Sequence, residues 1–181
     1  MATRRKFIKD GLIVSAGVSL LGCGKTEKSL FSDSERKCAI AISEQIIPAD
    51  ESCGGATEAG VVNFIENWFS KYRPEEYDGF LKNLRAFQAM SAAELGKDFQ
   101  DADFAAQNKL LLSAERGEIK SGKMSGEKQR EFFDKILSLT MYGFYGAPRH
   151  GGNKNAMSFK MMGWDNPLVV GQNRYAKRAS R

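Results

Sequence analysis

The chain has 181 residues, 42% of them hydrophobic and 27% charged, which suits one domain with a real core. Its formal charge of +5 looks basic, but residues 1–22 contribute +3 of it (Arg4, Arg5, Lys6 and Lys9 against Asp10) and leave only +2 for the rest. A charge that small supplies no long-range field, and no basic stripe with interleaved aromatics occurs, which argues against nucleic acid as a partner.

The N-terminal segment reads as an address. TRRKFIK at residues 3–9 is followed by the apolar run GLIVSAGVSLL and then by GCG, the three parts of an export signal. The apolar run covers only residues 11–21, short of the roughly 20 residues a membrane-spanning helix needs. Arg4 and Arg5, with Lys6, Phe7, Ile8 and Lys9 behind them, resemble the twin-arginine signal, a route that moves folded proteins. Leu20, Leu21, Gly22 and Cys23 resemble a bacterial lipobox, in which cleavage falls before the cysteine and its thiol is lipidated. Two acyl chains on Cys23 suffice for stable anchoring. The expected organisation is a signal peptide over residues 1–22, a tether over 23–31 and a helical domain over 32–181. The expected location is the periplasmic face of a bacterial membrane.

The mature chain reads as mainly α: about five helices joined by long ordered loops. SDSE at residues 32–35 is a capping-box pattern. Cys38, Ala39, Ile42 and Ile46 then recur at helical spacing, and Pro48 stops the helix. With Cys23 lipidated, Cys38 and Cys53 remain as an even pair. A disulfide in an oxidising compartment and two free thiols are equal readings. The glycine-rich loop PADESCGGATEAG follows. Val61, Val62, Phe64, Ile65, Trp68, Phe69 and Tyr72 form the apolar stripe of a second helix that ends before Pro74.

Pro74 suits the first turn of a third helix, with Tyr77, Phe80, Leu81, Leu84 and Phe87 on its buried face. Residues 91–103 are polar, with Leu95 and Phe99 as isolated anchors. A fourth helix is expected from about Asp101 to Arg116, with Phe104, Leu110, Leu111 and Leu112 apolar. Ser125 caps a fifth helix carrying Phe132, Phe133, Ile136, Leu137, Thr140, Met141, Phe144 and Tyr145. No alternating run long enough for a sheet occurs, and no internal repeat. Five helices of modest length cannot hide every aromatic, so some are expected on a partner-facing patch.

Residues 145–164, YGAPRHGGNKNAMSFKMMGW, hold the chain's one histidine, His150, beside Arg149, Gly151 and Gly152. A general base needs a nucleophile or substrate proton in reach and an orienting group. No Gly-x-Ser-x-Gly elbow and no second histidine occurs. A zinc site from Cys38, Cys53 and His150 lacks a fourth soft ligand. A phosphate cradle needs a strand before its glycines, and here a helix precedes them. The residues read more simply as structure. Gly146 and Pro148 end the fifth helix, and Gly151 and Gly152 permit positive φ. Asn153 caps a short last helix in which Met157, Phe159, Met161, Met162 and Trp164 pack.

YGFYGAPRHGGNKNAMSFKMMGWDNP, residues 142–167, resembles the C-terminal signature of the gluconate 2-dehydrogenase subunit 3 family. That signature is an aromatic-Gly-aromatic run, Pro-Arg with an aromatic or His, Gly-Gly-Asn, and a short helix ending near Gly-aromatic-Pro. This chain departs from it in carrying Asp165 and Asn166 ahead of Pro167. IIPADESCGGATEAGVVNFIE, residues 46–66, resembles the family's other signature, an Ile-Pro-Ala-Asp turn followed by Ala-Gly-Val and a helix. The resemblance implies a non-catalytic small subunit with no catalytic, cofactor-binding or metal residues of its own. Its implied partners are a large FAD-dependent dehydrogenase of the glucose-methanol-choline type, oxidising a sugar or polyol, and a cytochrome c subunit as electron acceptor. The large subunit would be carried out in complex with this chain. Pro48, Asp50, Arg149, His150, Gly151, Gly152, Asn153 and Trp164 are then expected to dock it. Two other readings stand beside this one: an independent lipoprotein with its own ligand or catalytic site around Arg149 and His150, and a structural envelope lipoprotein.

Overall fold

The structure, a computed structural model, describes residues 29–164. The signal residues Arg4, Arg5 and Phe7, the lipidation site Cys23, and Asp165, Asn166 and Pro167 lie outside the described residues. Among the described residues there are six α-helices and no strand: α1 (Asp33–Ile46), α2 (Val61–Asn67), α3 (Tyr77–Leu95), α4 (Phe104–Arg116), α5 (Gly126–Tyr145) and α6 (Met157–Met161). None of them is long and apolar enough to cross a membrane.

Local signals set most helix ends. Ser32 and Glu35 form the capping box of α1: the Glu35 amide donates to Ser32 Oγ at 3.4 Å, and the Ser32 amide donates to Glu35 Oε2 at 2.7 Å. The helix closes two residues before Pro48. Asp103 caps α4 by accepting from the Ala106 amide at 3.0 Å, and Ser125 caps α5 by accepting from Lys128. α3 runs through Leu95 and stops at Gly96, which sits at φ +69°. It therefore takes in residues 91–95, the start of the polar stretch 91–103. The stripe from Val61 to Tyr72 is one rod in two parts. α2 is followed by a π-helical turn, Trp68–Tyr72, in which the Arg73 amide bonds the Trp68 carbonyl at 2.8 Å. Pro74 then opens a short 3₁₀ turn that leads into α3.

Helix α5 lies at the centre and packs against α1, α2, α3 and α4. The interior is a chain of phenylalanines: Phe69 meets Phe80 at 4.7 Å, Phe80 meets Phe132 at 5.9 Å, Phe132 meets Phe87 at 5.4 Å, and Phe87 meets Phe99 at 5.2 Å between ring centroids. Such offset and edge-on pairs are favoured by the ring quadrupole. Phe31, at the end of the tether, is buried against Phe80, so packing begins ahead of Ser32. On α4, Leu110 and Leu111 are buried, whereas Phe104 and Leu112 are exposed. Consecutive positions step about 100° around a helix, so three adjacent leucines cannot all face one core.

Candidate functional site

The two glycine-rich loops, far apart in the chain, meet over the C-terminal end of α5. The Lys154 amide donates to the Ala59 carbonyl at 3.0 Å, and Asn67 Nδ2 donates to the His150 carbonyl at 3.1 Å. Gly143 makes this convergence possible. A Cβ there would lie 3.1 Å from both Val61 and Phe64, so its absence lets α2 settle on α5. A Cβ on Gly152 would overlap the Gly143 carbonyl. Gly152 is therefore required by close approach of two backbones rather than by the positive φ expected of it. Gly151 does take the left-handed region, at φ +102°.

Asn153 is fully buried at φ +46°. Its Nδ2 donates to the Gly146 carbonyl at 2.7 Å, and its Oδ1 accepts from the Ser158 amide at 2.9 Å. One side chain thus ties the end of α5 to the first turn of α6, capping that helix from well ahead of its first residue. Of the residues expected to pack around α6, Phe159 is buried and Met157 partly so, while Met161, Met162 and Trp164 are exposed. A helix of five residues has one inward face, and Phe159 fills it.

The loop ahead of α2 is held by carboxylates. Glu44 accepts from the Ala49 and Thr57 amides and from the Thr57 hydroxyl at 2.6–3.1 Å. Glu58 accepts from the Gly55 amide at 2.9 Å. Asp50 Oδ1 accepts from the amide and hydroxyl of Ser52 and from the Cys53 amide at 2.7–2.8 Å. The Ser52 hydroxyl, with those two amides, holds the Asp50 carboxyl below its ordinary value. These acids brace the loop.

Cys38 and Cys53 are both free thiols in this structure. Cys38 is completely buried in α1, and burial pushes its thiol far up. Cys53 is half-buried beside Met157 and Met161 on an open depression of about 410 Å³. Burial, then the nearby Asp50 and Glu58 carboxylates, raise its thiol as well. Neither is poised as a thiolate nucleophile. Among the described residues no cluster of three or more His, Cys, Asp or Glu is placed to hold a metal ion.

His150 has both ring nitrogens engaged. Nδ1 lies 2.7 Å from the Tyr72 hydroxyl, and Nε2 accepts from Arg149 Nε at 3.2 Å. With Nε2 accepting, the neutral ring carries its proton on Nδ1 and donates to Tyr72. The two rings meet edge-on at 5.6 Å. The histidine therefore fastens the C-terminal loop to the π-turn.

The expected docking residues divide by exposure. Pro48, Asp50, Arg149 and Trp164 are exposed, His150 and Gly151 are half-buried, and Gly152 and Asn153 are buried and serve the fold. Sequence reasoning passed over Tyr142, which is 58% exposed. Its signal was available: residues 136–145, ILSLTMYGFY, hold no charged side chain, although part of that stretch faces solvent.

A family model described as gluconate 2-dehydrogenase subunit 3 matches residues 33–166. No curated protein and no solved structure matches the chain.

Proposed function

We propose, from the premise that the chain belongs to the gluconate 2-dehydrogenase subunit 3 family, that it is the non-catalytic accessory subunit of a dehydrogenase complex. Its task is to bind, stabilise and escort through the twin-arginine route a large FAD-dependent sugar or polyol dehydrogenase of the glucose-methanol-choline type. FAD belongs to that partner, and a cytochrome c subunit accepts the electrons. Lipidation at Cys23 holds the assembly on the periplasmic face of the membrane.

The observation that carries this reading is the use the fold makes of the family's two loops. Their polar groups are used up within the fold: the Lys154 amide bonds the Ala59 carbonyl from one loop to the other, Asn153 joins α5 to α6, Asn67 of α2 holds the His150 carbonyl, and His150 joins Tyr72 and Arg149. A general base would need a nitrogen lone pair free toward a substrate proton. What these bonds build is a stiff platform, and stiffness lowers the entropic cost of binding a partner.

Co-purification tests the reading. The tagged full chain from its native host is expected to bring down a flavin-containing polypeptide, seen by mass and absorption spectrum. Recovery of the chain alone would refute it. Replacing Arg4 and Arg5 together by lysine is expected to leave the large subunit in the cytoplasm; normal export of that subunit would remove the escort role. If His150→Ala abolished activity of an intact complex, the reading of an independent catalytic site at Arg149 and His150 would gain.

A further inference from the structure

One surface has no use within the described fold. Met141, Tyr142 and Tyr145 are 40%, 58% and 37% exposed on the uncharged end of α5. Tyr142 stacks on Trp68 with ring centroids 6.3 Å apart and planes 29° apart. Trp68 meets Tyr72 at 6.3 Å, and Tyr72, itself 47% exposed, meets His150. Trp68 and Tyr72 stand at the two ends of the π-turn. Single π-turns recur at functional sites. Isolated exposed apolar residues are ordinary, but a contiguous aromatic row is not.

The charges around the ladder are unequal. Arg73 pairs with Glu75 and Glu76, and Lys135, which lies 5.7 Å over the Trp68 ring, pairs with Glu76 at 2.5 Å. Arg149 is exposed and makes no ion pair with any described residue. The result is an aromatic centre with one unpaired cation, Arg149, held at its edge through His150. Tyrosine, tryptophan and arginine are the residues that dominate protein-binding hot spots.

We propose that the Tyr142–Trp68–Tyr72 row, flanked by Met141 and Tyr145 and edged by Arg149, is the surface that grips the dehydrogenase subunit. It meets an apolar protein surface edged by carboxylates. The proposal rests on the accessory-subunit reading and replaces the loop glycines and Asn153 as the docking element. A second copy fits less well, because a two-fold contact would set this patch, Arg149 included, against its own copy. A lipid surface fits poorly too. Interfacial binding inserts an apolar face several ångströms deep, and here Trp68, the largest apolar group, lies under Tyr142 and Lys135.

The test co-expresses the full chain with the dehydrogenase subunit of its native host and measures their affinity for wild type and variants. Tyr142→Ala is expected to weaken the complex about 30-fold or more, as for a hot-spot aromatic. Arg149→Glu is expected to weaken it and to flatten its salt dependence. Phe104→Ala, an equally exposed aromatic on α4, is expected to leave affinity unchanged. Circular dichroism of each variant checks the fold, and Arg149→Glu decides the matter if Tyr142→Ala fails to fold. Failure of the wild-type chain to bind overturns both this proposal and the accessory-subunit reading. Wild-type binding with both ladder variants equally tight overturns this proposal alone. So does finding that they abolish self-association, or binding to phosphatidylethanolamine–phosphatidylglycerol vesicles, while the complex survives.

Discussion

Asn153→Ala tests whether one buried amide holds the C-terminal loop. The side chain donates to the Gly146 carbonyl and accepts from the Ser158 amide, both within 2.9 Å. Each such bond contributes about 1 kcal/mol net, and leaving a buried group unpaired adds to the loss. Alanine must also occupy φ +46°, where a residue with a Cβ and no local polar group is strained by about 1 kcal/mol or more. Together these give a destabilisation of about 3 kcal/mol. For a chain of this size that lowers Tm by roughly 6–12 °C. The assay is urea and thermal unfolding of the mature chain, followed by circular dichroism. Ser158→Ala is the control: its buried hydroxyl has no partner among the described residues, and the amide that Asn153 caps is kept. It should stay within about 1 kcal/mol of wild type. Equal midpoints for Asn153→Ala and wild type would refute the role assigned to this side chain.

Two further predictions concern buried polar groups elsewhere. Burial acts to raise the Glu35 carboxyl, but bonds from Ser32 and Arg85 outweigh it and hold the group below the ordinary 4.5. A carboxylate with a depressed folded value stabilises the fold above its unfolded value and loses that contribution as pH falls through the folded one. Glu35→Gln is therefore expected to cost about 1–2 kcal/mol at pH 7, allowing for screening of the exposed Arg85. The gap from wild type should close on acidification below 4.5, and a gap constant with pH would contradict the assignment. Gln129 is buried and makes three bonds to the loop before α5, with Ile119 N, Ile119 O and Met124 O at 2.8–3.1 Å. Gln129→Ala is expected to cost about 2–4 kcal/mol and to speed hydrogen exchange at the Ile119 amide; unchanged exchange there would count against it.

Much of this architecture was legible in the sequence because its signals act over a few residues. Ser32 with Glu35, Ser125, Pro48 and Pro74 mark boundaries through local backbone geometry, and the structure places them at helix ends. Periodicity likewise identified Ile42, Phe80, Leu84, Phe87, Phe132 and Ile136 as interior. The same apolar stripes could not say which aromatics stay outside. Trp68 and Phe69 are neighbours in sequence, yet Phe69 enters the phenylalanine core while Trp68 lies under Tyr142 at the surface. That division depends on the π-turn and on where α5 passes. The glycines show the same limit. Gly151 takes a left-handed backbone that glycine permits by itself, but Gly143 is glycine because the Val61 and Phe64 side chains press on it, and Gly152 because the Gly143 backbone does. Capping, helix breaking and hydrophobic period are properties of a short stretch of chain. Exposure and close approach are properties of the packed whole, and only the fold decided that the polar loops would turn inward while an aromatic row was left outside.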